Sequence, residues 1–406
     1  MTVDPATIVD EGDFADEVVA FLGGVAARRG PDTWSWGTGS DSVAVFHETT
    51  ADEEAAEVAA ARAWQACRFK AGFGWLTGPP EYGGRGLTIA YDRLYRTIEA
   101  GYDVPDQSPL RIGIGTVAPA VMAHGTDEQR RGVAVGIHRG DVLACQLFSE
   151  PEAGSDLAGV RTRARRDGDE WVLDGQKVWT SNAHLADVGL CLARSDPDAA
   201  KHRGLTMFLV PLDAPGVEIR PLRQMTGGAS FTEVFLDGVR LPEGARVGDE
   251  GDGWRVTVAA LTTERGSVGH RSHGQTARAL ARLRAWAQRA GLSADPLTRQ
   301  RLADLEVRLR VARYHQQRMQ AVPVEQLVGP EGAIDKLMVS ANLTRLGEAA
   351  GALLGPRLAA DTGEWGTFAW AALVLGAPGM RLGGGTDEVL KTMLAERLLG
   401  LPREPA

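Results

Sequence analysis

The sequence predicts an α+β multidomain protein, with a helical N-terminal domain, a middle β-barrel or sandwich domain and a helical bundle at the C-terminus. Three observations carry this. Helical spacing of apolar residues runs from Asp13 to about Gly140. Short apolar runs divided by Gly and Pro fill Asp141 to Val247. Helical spacing returns from Trp254 onward. At 406 residues the chain has room for two or three domains of about 150 residues each. The expected boundaries are 1–140, 141–250 and 251–406.

Within the first part, Ala51–Phe69 is rich in Ala and Glu, both strong helix formers. Thr126 stands as a cap before a helical stretch to Ile137. Two loops interrupt, Gly30–Ser42 and Thr77–Leu87 (TGPPEYGGRGL). In the middle part, Glu170–Leu173, Asp174–Gly175 and Gln176–Trp179 predict a hairpin with a tight Asp-Gly turn. Val188–Ala193, Leu205–Val210, Val217–Pro221 and Thr232–Leu236 predict further strands. In the last part, Trp254, Val258, Leu261 and Val268 make one predicted apolar stripe, and Leu302, Leu305, Leu309 and Ala312 another. Asp387–Leu399 predicts a final helix before Gly400.

Composition excludes several classes of function. Apolar residues make up 44% and charged residues 24%, ordinary for a globular chain. A net charge of −9 disfavours a nucleic-acid binder that tracks phosphates. The lysines are only Lys70, Lys177, Lys201, Lys336 and Lys391, a skew toward Arg read here as genomic composition. Cys67, Cys145 and Cys191 form no CxxC pair, so a disulfide framework and a structural zinc site are disfavoured. Met1 to Asp16 is acidic and does not read as a signal peptide. The longest apolar stretch, about Thr367 to Met380, contains Gly and Pro and is shorter than the roughly 20 residues of a membrane span. The expectation is a cytoplasmic protein with no membrane span. Walker, HExxH and GxSxG strings are absent. Gly72, Gly74 and Gly78 lack the spacing of a dinucleotide fingerprint. His270 and His273 lack further ligands, so no metal site is expected.

Gln146–Asp156 (QLFSEPEAGSD), continuing through Leu157, Ala158, Gly159 and Val160 to Thr162, resembles the flavin-contacting segment of the acyl-CoA dehydrogenase family. Asp174–Asn182 (DGQKVWTSN) resembles the family's second flavin-contacting strand, and Gly383–Glu404 its terminal signature. Gly74-Trp75, Pro80–Gly84, and His124-Gly125-Thr126 with Gln129 fit as well. The pieces stand in family order from about Ala51 to the end. The resemblance implies an N-terminal helical domain, a middle β domain and a C-terminal four-helix bundle. It implies FAD as cofactor, α,β-desaturation of an acyl-CoA thioester, and an electron-transfer flavoprotein as electron acceptor.

The flavin carries the hydride chemistry, so the protein must position and tune it. By the resemblance, Trp179 lies against the isoalloxazine, although alone it reads as β-domain core. Ser149 and Ser181 offer hydroxyls to the ring's polar edge, and Gln146 and Phe148 line the same wall. Ser155 matches a position near the cofactor pyrophosphate and the CoA arm. Thr386 and Glu388 stand as further cofactor contacts. Removing an α-proton needs a carboxylate held dry beside it and donors for the enolate oxygen. Many family members carry that Glu in the terminal signature, where this chain has Gly384. The Gly384 N–H remains available to the thioester oxygen. A second family solution, as in isovaleryl-CoA dehydrogenase, matches Leu261-Thr262-Thr263-Glu264-Arg265. It makes Glu264 the base and Arg265 a substrate-side neighbour. On spacing alone Glu264 reads instead as half of a surface ion pair. Glu99, Glu150 and Glu152 are weaker candidates for the base, and Glu150 reads as a structural turn residue.

Two family strings are missing. The Arg-x-x-Phe-Gly string, whose Arg reaches a neighbour's FAD, is replaced by Ala287–Leu292, where Arg289 is a poor match. The Gln-x-x-Gly-Gly-x-Gly string is replaced within Gly363–Gly385. A homo-oligomer and a heteromer with a paralogous subunit both fit. Three functions stay in play: a dehydrogenase using Glu264; an acyl-CoA oxidase or flavin monooxygenase-like enzyme; and a non-catalytic subunit. An acyl carrier protein thioester fits as well as a CoA thioester.

Overall fold

The computed structural model describes residues 10–30, 34–46, 49–321 and 332–403, with side chains at all of these but 262–273, 320 and 321. By contacts the chain divides into two units. One takes Met1–Thr33, Thr49–Leu222 and Phe231–Ala260; the other takes Trp34–Glu48, Arg223–Ser230 and Leu261–Ala406.

The first unit opens with α1 (Glu11–Val25), capped by the Asp10 carboxylate, which accepts the N–H groups of Gly12 and Asp13. Phe14, Val18 and Leu22 fall on one face and are buried. Helix α2 (Ala51–Lys70) starts on a reciprocal cap between Thr50 and Glu53. Its first turn is acidic and its last carries Arg68 and Lys70, which suits the helix dipole. Helix α3 (Ile89–Glu99) buries Tyr91 and Tyr95 against α1 and α2 in one aromatic cluster. The predicted loop before it is tightly folded. A Cβ at Gly84 would lie 2.1 Å from the Gly78 carbonyl oxygen, so only glycine fits there. Three short helices follow, α4 (Ala118–His124), α5 (Asp127–Gln129) and α6 (Val135–Arg139), with π-helical turns at Gly113–Val117 before α4 and at Arg130–Ala134 between α5 and α6. Thr126 caps α5 as predicted, paired with Gln129. The Gln129 amide also donates to the carbonyls of Gly244 and Arg246.

The strands are β1 (Ala144–Leu147), β2 (Arg163–Asp167), β3 (Glu170–Ser181), β4 (Val188–Arg194), β5 (Leu205–Pro211), β6 (Val217–Leu222), β7 (Phe231–Pro242) and β8 (Arg246–Val247). They form one sheet in the order β6-β7-β3-β2-β4-β5-β8, with β1 added beside β4. The path is open, ending on β6 and β8, so of the expected barrel or sandwich the sheet shows no closure. Its core gathers Trp171, Leu173, Cys191, Phe208, Val210 and Val234.

The Asp174-Gly175 turn is corrected. Both residues lie inside β3, a single strand of 12 residues. The register against β7 slips between Leu173 and Gly175, so the dipeptide marks a bulge. Asp174 accepts the Gly238 N–H at 2.8 Å across it. A Cβ on Gly175 would stand 2.4 Å from the Thr162 hydroxyl, so the glycine serves close packing. The true hairpin joins β2 to β3 through Gly168, whose φ is +66°.

The second unit holds most of α7 (Gly253–Arg289), α8 (Pro296–Ala321), α9 (Gly332–Leu354), α10 (Trp370–Leu382) and α11 (Asp387–Met393). Ala279, Leu280, Leu283 and Trp286 of α7, Leu305 of α8, Leu346 and Ala350 of α9, and Trp370 and Leu373 of α10 share one core, a four-helix arrangement. The Leu302–Ala312 stripe packs there as predicted. Of the Trp254–Val268 stripe, Trp254 and Leu261 are half-buried, the Val268 side chain lies outside the described residues, and Val258 is corrected. Val258 is exposed, while Val256, Thr257 and Ala260 are buried, with Val256 beside Gly248. The inward face is thus rotated from the predicted one. Residues 34–46 leave the first unit in sequence and pack in the second, where Trp36 lies edge-on to Trp365 at 4.9 Å between ring centres.

Candidate active site

The first unit collects Gln146, Phe148, Ser149, Ser155, Trp179 and Ser181. On β3, Lys177 pairs with Val234 and Thr180 with Thr232, so Val178 and Trp179 together face Glu233. This second bulge turns the tryptophan out of the strand's alternation. Trp179 sits at φ +59° and is 59% exposed, and Phe231 stands edge-on to it at 6.0 Å. A bulky residue at positive φ is rare and costs about 1–3 kcal/mol. A large indole held exposed in a strained conformation is not core packing. Ser149 and Ser181 are half-buried, and neither hydroxyl is paired within the described chain. An exposed flat ring flanked by two unengaged hydroxyls fits a planar ring system with a polar edge. Gln146 is half-buried on β1, Phe148 is buried, and Ser155 is exposed in the loop before Leu157.

Beneath this wall Glu150 pairs with Lys177, a residue to which the sequence alone gave no role. The Lys177 side chain is fully buried. Its Nζ donates to Glu150 Oε1 at 2.8 Å, to the Phe148 carbonyl at 3.1 Å and to the Leu192 carbonyl at 2.7 Å. Glu150 in turn accepts the N–H groups of Arg161 at 2.6 Å and Thr162 at 2.9 Å. Burial pushes the Glu150 carboxyl up, but the Lys177 ammonium and these hydrogen bonds outweigh it and hold it below the usual carboxylate range. Glu150 is structural, as expected, and unsuited to be the base. Glu99 is engaged by Trp64 Nε1 at 3.0 Å and by the Tyr95 hydroxyl at 3.1 Å. Glu152 pairs with Arg161 on the surface.

The second unit collects the C-terminal candidates. Gly384 has φ +68°, and a Cβ added there would meet nothing within 4 Å. Thr386 caps α11, its hydroxyl accepting the Val389 N–H at 3.2 Å. Glu388 is exposed, 3.4 Å from Arg381. Asp387, between them, is buried and unpredicted. It accepts from Lys336 Nζ and the Ser340 hydroxyl, both at 2.9 Å, and from Arg381 at 3.0 Å. Burial raises its carboxyl, and these three donors more than reverse that. Arg289, the poor match for the cross-subunit Arg, lies over the Trp36 ring at 5.5 Å. The side chains of Glu264 and Arg265, and of His270 and His273, lie outside the described residues; their backbone is helical. Among the described residues no cluster of His, Cys, Asp and Glu could hold a metal, and no helix is long and apolar enough to cross a membrane.

Two family models match the chain: "Acyl-CoA dehydrogenase, middle domain" over residues 145–239, and "Acyl-CoA dehydrogenase, C-terminal domain" over residues 251–399. The chain is 40% identical over 344 residues to acyl-CoA dehydrogenase IpdE1 of Mycobacterium tuberculosis, covering 84% of this chain and 88% of that protein. It is 35% identical over 362 residues to acyl-CoA dehydrogenase FadE26 of the same organism, covering 81% and 86%. Among solved structures it is similar to the Tcur3481-Tcur3483 steroid ACAD, with a TM-score of 0.75, 28% identity and 99% of each chain covered. It is also similar to the ChsE4-ChsE5 complex from Mycobacterium tuberculosis, with a TM-score of 0.72, 26% identity and 100% of each chain covered. These matches define an oxidoreductase of a flavoprotein class. This chain belongs to the acyl-CoA dehydrogenase family.

Proposed function

We propose that this chain is an FAD-dependent dehydrogenase that desaturates the α,β bond of an acyl-CoA thioester bearing a steroid-type acyl group. The observation that carries the flavin part is Trp179, strained and exposed beside the unpaired Ser149 and Ser181 hydroxyls. The substrate class rests on the likeness to the Tcur3481-Tcur3483 steroid ACAD. Trp179 would hold one face of the flavin, and Ser149 and Ser181 its polar edge, with Gln146 and Phe148 in the same wall. Ser155, exposed, would meet the pyrophosphate and the CoA arm. Thr386 and Glu388 stand as further proposed cofactor contacts. When bound, FAD accepts the β-hydrogen as hydride and passes electrons on to an electron-transfer flavoprotein.

Glu264 takes the α-proton, the role its match in Leu261–Arg265 gives it, with Arg265 beside it. Gly384 offers its N–H to the thioester oxygen; its open surroundings leave space for one. The three-domain division at about residues 140 and 250 belongs to the same reading. The test is an anaerobic titration of the purified protein with acyl-CoAs, steroid-type thioesters included, followed by loss of the visible flavin band. Glu264→Gln should stay yellow and fail to bleach. A colourless chain that takes up no added FAD overturns the reading. Slow reoxidation when air is admitted separates a dehydrogenase from an oxidase.

A second reading makes the working unit a heteromer with a paralogous subunit. Arg289 favours it, because its guanidinium is spent on Trp36 of its own chain. Size-exclusion of the chain expressed alone, with its flavin-to-protein ratio, decides this. A ratio near one per chain overturns an obligate heteromer.

A further inference from the structure

We infer that Lys177 and Glu150 are positioning residues for the flavin: the buried pair fixes the Ser149 and Trp179 wall by filling a gap in the sheet. This rests on the proposed function and extends it to two residues outside the proposed flavin contacts. Along β4, β1 pairs as far as Cys191, and β2 joins only at Arg194. Between them the chain after β1 leaves the sheet, so the Leu192 carbonyl has no neighbouring strand to donate to it. The Lys177 ammonium supplies that donor at 2.7 Å. The same ammonium holds the Phe148 carbonyl, one residue before Ser149. The Val178 N–H, one residue after Lys177 and one before Trp179, donates to the Ser149 carbonyl at 2.9 Å. The segment bearing one hydroxyl and the bulge bearing the indole are thereby tied to each other on both sides.

Glu150 closes the arrangement. It neutralises the ammonium and anchors Arg161 and Thr162, where the chain returns to enter β2. A buried charge pair is tolerated when every remaining donor and acceptor is satisfied. Here the lysine makes three bonds and the carboxylate accepts three. Arg would not substitute. Its planar fork cannot direct three donors around one point as an ammonium does. In a chain that otherwise favours Arg, the retained lysine follows from this geometry.

The test compares wild type, Lys177→Met, Glu150→Gln and the double variant, each stripped of flavin and titrated with FAD. Tryptophan fluorescence and the visible band of bound flavin are followed, with melting measured separately. Lys177→Met should bind FAD about 100-fold more weakly, with a shifted band. The double variant removes both charges together and should melt above Lys177→Met. It should still bind FAD at least about tenfold more weakly, because nothing holds the Phe148 carbonyl. That split between melting and binding is what a merely stabilising pair would not give. Should Lys177→Met not fold, the double variant and Glu150→Gln decide. A double variant or Glu150→Gln with wild-type affinity and band overturns the inference alone. Wild type that takes up no FAD overturns the proposed function and the inference together.

Discussion

Two buried lysine–carboxylate pairs, one in each unit, sit beneath the two groups of proposed flavin contacts. They are built differently. Lys177 and Glu150 engage main chain: two carbonyls on the lysine, two N–H groups on the carboxylate. Lys336 and Asp387 engage mostly side chains, with Ser340 and Arg381 completing the cluster. The first pair replaces missing strand pairing and so fixes backbone. The second ties α11 to α9 and fixes the start of a helix. Removing a side-chain cluster leaves few groups unpaired, whereas removing a main-chain clamp leaves the peptide groups behind.

The largest expected effect breaks this contrast directly. Lys177→Met strands a buried carboxylate and should destabilise the fold by about 3–5 kcal/mol, while Lys336→Met should cost less because Arg381 still pairs with Asp387 at 3.0 Å. Replacing both partners separates the two sites. Lys336→Met with Asp387→Leu should regain most of the loss, since Arg381 is half-exposed and can turn to water. Lys177→Met with Glu150→Leu should regain much less, because the Phe148, Leu192 and Thr162 main-chain groups stay buried and lose these partners. Denaturant melts of the four variants measure this. Equal recovery at both sites would show that the main-chain bonds carry no special weight.

Next in size is a pH effect that separates these pairs from a third buried ionisable group. Both carboxylates are held low in the folded state. Their stabilisation is intact above the ordinary carboxylate range and is lost only as pH falls through the depressed folded values. His138, stacked on Trp75 at 4.0 Å, is driven by burial down to about 3 from an ordinary 6.5. The unfolded chain takes up its proton below about pH 6.5 and the folded chain does not, so stability falls there first. From pH 7 to pH 5 wild type should lose about 2 kcal/mol more than His138→Phe. Parallel pH curves for the two proteins would remove His138 as the source.

What was legible in the sequence follows the same local-versus-distant division. Thr126 announced its cap correctly, and the residue that completes it, Gln129, is only three positions on. The Leu302–Ala312 stripe found its core because its partners lie on neighbouring helices. Asp174-Gly175 misled because the same dipeptide suits a tight turn and a bulge; only the Thr162 side chain pressing on Gly175 decides between them. β2, Arg163–Asp167, was missed since its run of arginines carries no apolar alternation. Lys177 stood inside a quoted motif, yet its partners Phe148 and Leu192 lie 29 and 15 residues away. A usable signal existed: in a chain that almost always uses Arg, two of the few lysines, Lys177 and Lys336, are the buried ones. The departure of residues 34–46 to the second unit had no such signal, because its tryptophans meet Trp365 more than 300 positions on.

The smallest effect sharpens the comparison at the C-terminal site. Thr386 caps α11 through one bond to the Val389 N–H, on an exposed turn. Thr386→Ala should cost about 1 kcal/mol, the ordinary value of a single cap. If the Lys336–Asp387 cluster is what anchors this helix, the loss should stay local. Amide exchange at Val389 and Leu390 should quicken about fivefold, while melting of the whole unit moves little. Should the cap loss instead free the full length of α11, the buried cluster beneath it is not the anchor, and the two lysine pairs differ more than their bonding suggests.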